Sequence, residues 1–484
     1  WTWAGLFILP IELGERFSFL GTRVLLNQYL KAGFGLEDEE AKTYVHLFNG
    51  LIFMFPLVGG AISDSYLGKY YTILIFTLLG LVGNILFVFF SIDGVVGEFG
   101  NYPIWAFLLP VVIMSVGLGM AKPCVGSHAG DQFDDKDSLD KFFSLLTVVT
   151  YTGILLAVVS VPYIKNELGY PVAYITTTSV LLLSLILFAS GKGAYKVIAP
   201  QGEFLTWKIA KIIVLAGVRK LKGYHADNWL ELAQDKYSDE LIQEAHHVLR
   251  VITMFSPLVF AWMLQEQIST EWQNQYEMMD KSLFGITLPT EGCSAYGVLL
   301  AIMFAPTAGF IVFPFLERRG IKISAGMRIA MGYFLVVISF VISTSLQYWV
   351  VSYAGNQVLT NKVAISCDGC MHSAWQLPQW VFFSLGDAIL IPSAAHLAYS
   401  NVGPKMKASS LSIVYLSIAI GNYTVIVMEQ ILAFTSDGIL RQWCYVAISF
   451  FFLIVYLLLL KLWFIPNSPS SKSLAYKTGK MWDA

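Results

Sequence analysis

Four ionisable side chains lie inside an apolar segment near the start of the chain. They are Glu12, Glu15, Arg16 and Arg23. Their spacing of i, i+3, i+4 and i+11 puts all four on one face of an α-helix. Charged groups are costly in hydrocarbon, so they almost always face a water-filled cavity or one another and mark a transport path. This stripe of mixed charge is typical of a pathway for a polar solute, alone or together with a proton.

The composition is that of a membrane protein. Of the 484 residues, 56% are hydrophobic and only 13% are charged, and the mean hydropathy is +0.63. Soluble domains are nearer to a quarter charged. Apolar runs recur along nearly the whole chain, which indicates an integral membrane protein with many spans. The net charge of −2 argues against nucleic acid as a partner. The first residues lack the basic region and cleavage site of a signal peptide, so we expect none there.

The apolar runs predict twelve membrane-spanning helices. They lie at residues 2–30, 43–65, 70–92, 103–123, 141–164, 170–190, 250–272, 293–315, 326–350, 375–400, 407–432 and 440–465. Lys and Arg are concentrated in the loops after the even-numbered spans, so both ends of the chain are expected on the cytoplasmic side.

The spans fall into two halves. We expect a six-helix bundle at 1–190, an amphipathic cytoplasmic linker at 191–249, a second six-helix bundle at 250–465 and a cytoplasmic tail at 466–484. The linker pattern is typical of helices that lie on the inner membrane surface, near anionic headgroups. Two six-span halves around a central polar site predict an all-α membrane protein of the major facilitator fold.

The five cysteines leave the redox state open. Cys124, Cys293 and Cys444 are isolated, whereas Cys367 and Cys370 form a Cys-x-x-Cys in a short polar loop, followed by a histidine. The pair is interpreted first as a local disulfide on the outer face and next as two free thiols. A metal site needs more ligands than this loop offers.

Many short motifs, in order over about residues 10–465, resemble those of the proton-coupled oligopeptide transporters. They are Glu12–Ser18 with Gly21 and Arg23, Val45–Phe48, Gly59–Tyr70, Lys122–Val125, Gly130–Phe133, Asp235–Ile242, Leu377–Gln379, Ala398–Ser400, Met406–Lys407 and Gly421–Asn422. The motifs around His46 and Lys122 are most similar to animal members. The best-known animal members carry a large extracellular domain between helices nine and ten, which the short connection at 351–374 does not accommodate.

The resemblance implies a proton-coupled symporter that imports di- and tripeptides by alternating access. It would work as a monomer in the lipid bilayer, with protons as the coupling ion and no other cofactor. The membrane would be the plasma membrane or that of an acidic endomembrane compartment. We find no nucleophile–base set or phosphate loop, so we do not expect an enzyme.

The resemblance also implies where a zwitterionic peptide would bind. Its carboxylate would meet Arg16, Arg23 and Lys122, since Arg can hold a carboxylate bidentately and Lys offers a point charge. Its ammonium would meet Asp387, which stands where the family usually has glutamate. The site would also include Trp262 and Tyr151. The alternatives are structural ion pairs with Glu12 or Glu15 for the cations, and a helix-packing hydrogen bond for Asp387.

Four side chains are candidate proton carriers: Glu12, Glu15, Glu266 and His46. Partly desolvated carboxylates can load and release a proton near neutral pH, and histidine titrates there without any perturbation. For His46 the alternative is a buried, hydrogen-bonded neutral ring. His396 is a weaker candidate.

Several positions depart from the family pattern on the ammonium and backbone side of the site. Phe19 and Leu20 replace a tyrosine pair, Thr147 replaces a tyrosine, Tyr151 replaces an amide, and Gly297 replaces an asparagine. We therefore expect the carboxylate side to be intact and the ammonium side to have lost hydrogen-bond partners. Another solute, such as an amino acid, nitrate or an organic anion, stays open, and so does a non-transporting sensor or assembly subunit.

Overall fold

The computed structural model of the chain describes residues 3–463. The exceptions are 134–135, 201, 203, 227, 284–285, 288, 322, 361–370, 402–406 and 433–437. The predicted pair Cys367 and Cys370 lies outside the described residues, so its pairing stays a prediction. Cys124, Cys293 and Cys444 are free thiols.

Among the described residues, seven helices form the N-terminal half. They are α1 (Trp3–Phe34), α2 (Asp38–Met54), α3 (Pro56–Ile62), α4 (Lys69–Phe90), α5 (Trp105–Gly130), α6 (Lys136–Leu168) and α7 (Tyr170–Ser190). A break at Phe55 separates α2 from α3 because Pro56 has no backbone N–H to donate. One π-helical turn, Ser63–Leu67, follows α3, and Gly68 ends it with a φ of 73°, which glycine adopts without strain.

Ten helices and one short hairpin lie in the part of the remainder that the structure describes. They are α8 (Leu205–Leu221), α9 (Asp239–Phe255), α10 (Val259–Glu266), α11 (Glu271–Glu277), β1 (Ser282–Leu283) paired antiparallel with β2 (Ile286–Thr287), α12 (Ala295–Pro306), α13 (Phe313–Arg318), α14 (Ala325–Thr360), α15 (Leu377–Ser400), α16 (Lys407–Ile431) and α17 (Gly438–Trp463). A π-helical segment, Thr307–Val312, joins α12 to α13.

The number of spans agrees with the sequence. Within the described residues, ten helical segments are long and apolar enough to cross a membrane, and the bent segment α9–α11 is an eleventh. Helix α1 has 32 residues, which at about 1.5 Å each also suffices to cross. Its five charged side chains lower its mean hydropathy, so it does not stand out by hydropathy alone. The prediction of a multi-pass integral membrane protein is confirmed.

The helix that leads into the predicted seventh span begins before that span. The prediction placed its start at residue 250, but α9 begins at Asp239, inside the predicted linker, and bends by 47° into α10. The bend falls at Pro257, which cannot continue the backbone hydrogen-bond ladder. One face of α9 is buried against α8, through residues such as Ile242 and Ala245. The amphipathic pattern at the start of α9 therefore belongs to a helix whose apolar face packs on α8 and which leads into a span.

Each half has its own hydrophobic core. In the N-terminal half, α1 packs against α6 and α7, and α4 packs against α5. The last two approach so closely that a Cβ added at Gly117 would lie 2.1 Å from the backbone nitrogen of Gly80, which is typical of small residues at membrane helix interfaces. In the C-terminal half, α14 packs against α15 and α17, and α10 packs against α16. Helix α16 also packs against α2 and α3 and so connects the halves.

Candidate functional site

The charged stripe of α1 meets α5 and α6 in a network of alternating charge. Arg16 Nε donates to Glu12 Oε1 at 2.8 Å, and Thr150 Oγ1 donates to the same oxygen at 3.0 Å. Lys122 Nζ donates to Glu15 Oε1, and Arg16 Nε lies 3.4 Å from Glu15 Oε2. Two cations are therefore balanced by two carboxylates at the boundary of three helices.

Aromatic rings enclose the cationic end of this network. Lys122, whose side chain is 1% exposed, holds its Nζ 4.7 Å from the ring centre of Phe19 and 5.7 Å from that of Phe53. Such contacts stabilise a desolvated ammonium. Phe53 in turn stacks on Tyr415 of α16, whose hydroxyl interacts with Arg16. Phe19 thus contacts Lys122 through its ring face although it lacks the hydroxyl usual at this position in the family.

Arg23 belongs to a second cluster, which joins the two halves. Its Nη2 donates to Glu266 Oε2 of α10 at 2.6 Å and to Ser269 Oγ at 3.3 Å. Asn49 of α2 donates to the same Glu266 oxygen at 3.2 Å. The structure therefore pairs Arg23 with Glu266, whereas Arg16 and Lys122 pair with carboxylates of α1.

His46 of α2 lies one helical turn before Asn49 and is 2% exposed. Its Nδ1 is 3.1 Å from Asn422 Oδ1 on α16. Since a carbonyl oxygen only accepts, Nδ1 carries the proton in this arrangement. This geometry matches the buried, hydrogen-bonded ring that the sequence left as an alternative, and it makes a further contact between the halves.

Asp387 of α15 is the site's carboxylate without a cationic partner. Gln265 of α10 donates to its Oδ1 at 3.2 Å, and among the described residues no Lys or Arg nitrogen comes within 4.0 Å of it. Glu266 and Tyr151 lie within electrostatic range of this carboxylate. Tyr151 is also within electrostatic range of Arg16. It therefore lies near both the cationic pole of the N-terminal half and the anionic pole of the C-terminal half.

Two other candidates lie apart from these charges. Trp262 is 1% exposed, donates from Nε1 to Ser417 Oγ at 2.9 Å and packs on Gly421, within the C-terminal core. His396 is on the last turns of α15, within electrostatic range of Arg328. Neither side chain makes a hydrogen bond to the charged groups described above.

Ion pairs link the halves at the predicted outer end. Lys42 Nζ of α2 lies 2.7 Å from Glu271 Oε1 of α11 and 2.9 Å from Asp38 Oδ2. Two further pairs between the halves are Arg441–Glu39 at 2.9 Å and Lys165–Glu291 at 2.6 Å. Within the C-terminal half, Arg441 also pairs with Glu429 at 2.9 Å. We call these residues the outer latch. It closes one end of the boundary between the bundles.

At the opposite end, two of the motifs meet. Lys69 Nζ lies 2.5 Å from Asp131 Oδ2. The next residue, Gln132, donates to the carbonyl of Lys196 at 3.2 Å and accepts from its backbone N–H at 2.8 Å. Ser409 Oγ of α16 donates to Asp64 Oδ2 at 3.2 Å. The motifs at 59–70 and 130–133 therefore fix the start of the linker to the N-terminal half.

Several partners of the candidates were not singled out from the sequence. They are Asn49, Thr150, Gln265, Ser269 and Tyr415. Each is a common polar residue without a motif of its own. A polar residue repeated on one face of an apolar helix, as with His46 and Asn49, is the only local signal that could have found any of them.

Two bundles of membrane-spanning helices that meet at a buried charged boundary are the architecture of the major facilitator fold. Solved structures share the fold. The TM-score is 0.79 with an in meso crystal structure of the POT family transporter PepTSo, at 22% identity over 96% of this chain and 99% of that one. The TM-score is 0.75 with an autoinhibited POT family peptide transporter, at 22% identity over 95% of this chain and 96% of that one. A POT family transporter in complex with a thioalcohol-conjugated peptide gives a TM-score of 0.71, at 15% identity over 94% of this chain and 95% of that one. The predicted fold class is confirmed.

The sequence profile of the POT family matches residues 70–440, and the chain belongs to this family. It is similar to solute carrier family 15 member 1 of Mus musculus, with 28% identity over 73% of this chain and 53% of the relative. Peptide transporter family 1 of Drosophila melanogaster is 27% identical over 70% of this chain and 47% of the relative. The chain thus spans about half the length of the curated relatives it matches. The resemblance to animal members is confirmed.

Proposed function

We propose that this protein is a proton-coupled symporter that carries small peptides across a membrane by alternating access. One observation supports this most: paired cations, Arg16 and Lys122, lie on the N-terminal half, and an uncompensated carboxylate, Asp387, lies on the C-terminal half. A zwitterionic peptide offers the complementary charges. One relative is named peptide transporter family 1, and one structure with this fold holds a peptide conjugate.

Binding would exchange internal ion pairs for substrate ones. The peptide carboxylate competes with Glu12 and Glu15 for Arg16 and Lys122, with Arg16 able to offer two parallel hydrogen bonds. The ammonium is neutralised by Asp387. Tyr151 lies near both poles, so its hydroxyl is the group best placed to reach the peptide's middle. No bond is made or broken, and the enclosed water-poor site strengthens each charge-assisted contact.

Proton coupling would act on the same pairs. A proton on Glu266 removes the charge that holds Arg23 and thereby weakens the link between α1 and α10. A proton on Glu12 or Glu15 releases Arg16 or Lys122 for substrate. His46 lies one turn from Asn49, which also contacts Glu266, so it can relay a proton to the same cluster. The proton is the coupling ion, and no other cofactor is invoked.

The outer latch determines which side of the membrane the site faces. With its ion pairs formed, the outer ends of the bundles are held together, as in a state that releases substrate to the cytoplasm. Rocking of the two halves would break the latch and expose the site to the other side. A more acidic outside then drives import, whether that outside is the cell exterior or the lumen of an acidic compartment. The monomer contains all the groups invoked.

Uptake into proteoliposomes tests the proposal. Peptide uptake should rise when the outside is acidified and collapse with a protonophore, and di- and tripeptides should compete better than amino acids or nitrate. Glu266→Gln should lose gradient-driven uptake while retaining peptide exchange at equal pH. The matched control is Glu317→Gln, which alters a carboxylate paired with Arg328 inside one half. Accumulation that ignores the proton gradient, or nitrate outcompeting peptides, would contradict the proposal.

A further inference from the structure

Buried polar atoms without hydrogen-bond partners are concentrated in one part of the C-terminal half. Nine of the 17 such atoms among the described residues lie on α11, α12, α14, α15 and the turn before α15. They are Trp272 Nε1, Gln273 Oε1, Tyr276 OH, Tyr296 OH, Gln347 Oε1, Ser373 Oγ, Gln376 Oε1, Gln379 Oε1 and Trp380 Nε1. We call these nine residues the polar cluster.

Contacts between the helices connect seven of the nine residues of the polar cluster into one region. Gln275 of α11 accepts from Gln376 Nε2 at 3.0 Å and from Gln379 Nε2 at 3.1 Å. The indole rings of Trp272 and Trp380 pack edge to face with centres 4.6 Å apart. On the far side, the rings of Tyr276 and Tyr296 are 6.3 Å apart, and the hydroxyl of Tyr276 lies near those of Tyr296 and Ser373 without a well-formed hydrogen bond.

Leaving these groups unsatisfied would be unfavourable. Each buried polar atom without a partner is destabilising by about 1–3 kcal/mol, and buried water is the usual partner where several such atoms converge. The cluster contains donors in the indole N–H groups, acceptors in the amide oxygens, and hydroxyls that do both. A chain of hydrogen-bonded water needs this mixture, because each molecule both donates and accepts.

The polar cluster reaches from the outer loops toward Asp387. Its outer end is Ser373, whose backbone N–H donates to the carbonyl of Asp280 at 2.9 Å in the loop after α11. Its inner end is Trp380, which precedes Asp387 by seven residues on α15. Seven residues are two helical turns, so both side chains lie on the same face about 10 Å apart.

We propose that the polar cluster holds a chain of water molecules through which protons from the outer side reach Asp387. This inference rests on the proposed proton-coupled transport. An excess proton enters beside Ser373, passes along the hydrogen-bonded waters and neutralises the Asp387 carboxylate, leaving neutral water behind. The route lies inside the C-terminal half, whereas a solute must pass between the halves. Protons therefore reach Asp387 while the outer latch still excludes solutes from the outer side.

Radiolytic hydroxyl-radical labelling of the full chain in ¹⁸O water tests the water directly. Radicals formed from bound water mark neighbouring side chains even where bulk solvent is excluded. Trp272, Trp380 and Tyr276 should be labelled at least about tenfold faster than Tyr333 and Tyr456, which are equally buried but have their hydroxyls hydrogen-bonded to backbone. Equal, low labelling of both sets would overturn the proposal, independently of any transport activity.

A double variant tests proton conduction. Tyr276→Phe with Tyr296→Phe removes two hydroxyls at almost constant volume. Substrate-evoked proton influx should fall at least about tenfold, equivalent to about 1.4 kcal/mol in the barrier, while peptide exchange at equal pH is retained. The matched control is Thr344→Val, which removes an equally buried hydroxyl that is bonded to the Phe340 carbonyl.

Two outcomes separate this inference from the proposed function. If the wild type shows no proton-dependent transport, the proposed function is wrong, and proton conduction through the polar cluster is wrong with it. The labelling experiment still decides whether the polar cluster contains water. If the wild type is proton-driven but the double variant keeps the full proton influx, the conduction route is wrong. Gln379→Met removes one acceptor at similar length and gives the same test should the double variant misfold.

Discussion

Gly297 of α12 and Trp380 of α15 compete for the same space. A Cβ added at Gly297 would lie 2.4 Å from Cε3 of the Trp380 indole, and Ser384 Oγ, one turn further along α15, donates to the Gly297 carbonyl at 2.9 Å. The asparagine usual in helix eight of this family has no room while Trp380 keeps this position. Gly297 therefore leaves the room that the Trp380 indole fills.

We predict that Gly297→Ala lowers the melting temperature of the detergent-solubilised protein. Overpacking a filled interior is destabilising by about 1–3 kcal/mol. Gly309→Ala, where the added methyl meets open space, should leave the melting temperature nearly unchanged. Trp380→Leu should remove most of the penalty of Gly297→Ala, so that the two effects are strongly non-additive. Additive effects in the double-mutant cycle would show that Trp380 does not set the space at Gly297.

The sequence predicts elements better than it predicts partners. Long apolar runs located the spans, and the i, i+3, i+4 spacing in α1 marked Glu12, Glu15 and Arg16 because both signals are local. The partner of Asp387 is Gln265, and that of His46 is Asn422. These pairs join helices that are distant in sequence, and their contact depends on how two bundles meet. No local pattern encodes that, so the side chains around each candidate could not be assigned beforehand.

The seventh span illustrates a second limit. The face of α9 that contains Ile242 and Ala245 has the same period whether it packs on a membrane surface or on another helix. Periodicity defines which face is apolar but not what covers it. Here α8 covers it, and the helix continues past Pro257 into α10. The helix thus begins before the predicted boundary at residue 250, and the point at which it enters the membrane stays a prediction.

Lys122→Gln should strongly reduce uptake of carboxylate-bearing substrates. A charge-assisted hydrogen bond contributes about 1.5–3 kcal/mol, roughly a ten- to hundredfold effect on binding. The variant also leaves Glu15 with Arg16 as its remaining cation, at 3.4 Å, so part of any loss can be structural. Uptake of a labelled dipeptide, corrected for the amount of folded transporter, gives the measurement.

Glu15→Gln combined with Lys122→Gln separates the two contributions. Replacing both members of a buried ion pair removes the penalty of an unpaired buried charge. If Lys122 binds substrate, the double variant stays as inactive as Lys122→Gln. Recovery of uptake by the double variant would assign Lys122 a purely structural role.

Lys42→Met should open the outer end of the boundary between the halves. Lys42 is 8% exposed and neutralises Asp38 of α2 and Glu271 of α11 together. Without it, two carboxylates on opposite halves face each other. If the substitution destabilises the closed state by about 1.4 kcal/mol relative to the open state, the population of the open state rises about tenfold. Spin labels at Leu36 and Met278 should report a longer distance.

Arg328→Met is the control for this latch experiment. Arg328 pairs with Glu317 at 2.9 Å, an ion pair of similar length that lies inside the C-terminal half. The Arg328→Met variant should leave the distance between the two spin labels unchanged. A distance that also stays unchanged in Lys42→Met would mean that the outer ion pairs do not hold the halves together.

Asp387→Asn distinguishes peptide from non-peptide substrates. Gln265 donates to Asp387, but among the described residues no cation balances it, and Gly297 offers no side chain to share an ammonium. Asp387 would thus neutralise the ammonium almost alone. Binding of free-amine dipeptides should weaken roughly ten- to hundredfold, as for loss of one charge-assisted contact, while N-acetylated dipeptides should bind as they do to the wild type. Asp235→Asn, which alters a carboxylate paired with Arg219 on the surface, should change neither. Loss of gradient-driven uptake with intact exchange of N-acetylated dipeptides would show that Asp387 also takes the proton that the polar cluster delivers. Unchanged or tighter binding of free-amine dipeptides would point to an anionic solute such as nitrate. Equal binding of free and acetylated peptides by the wild type would exclude the ammonium role.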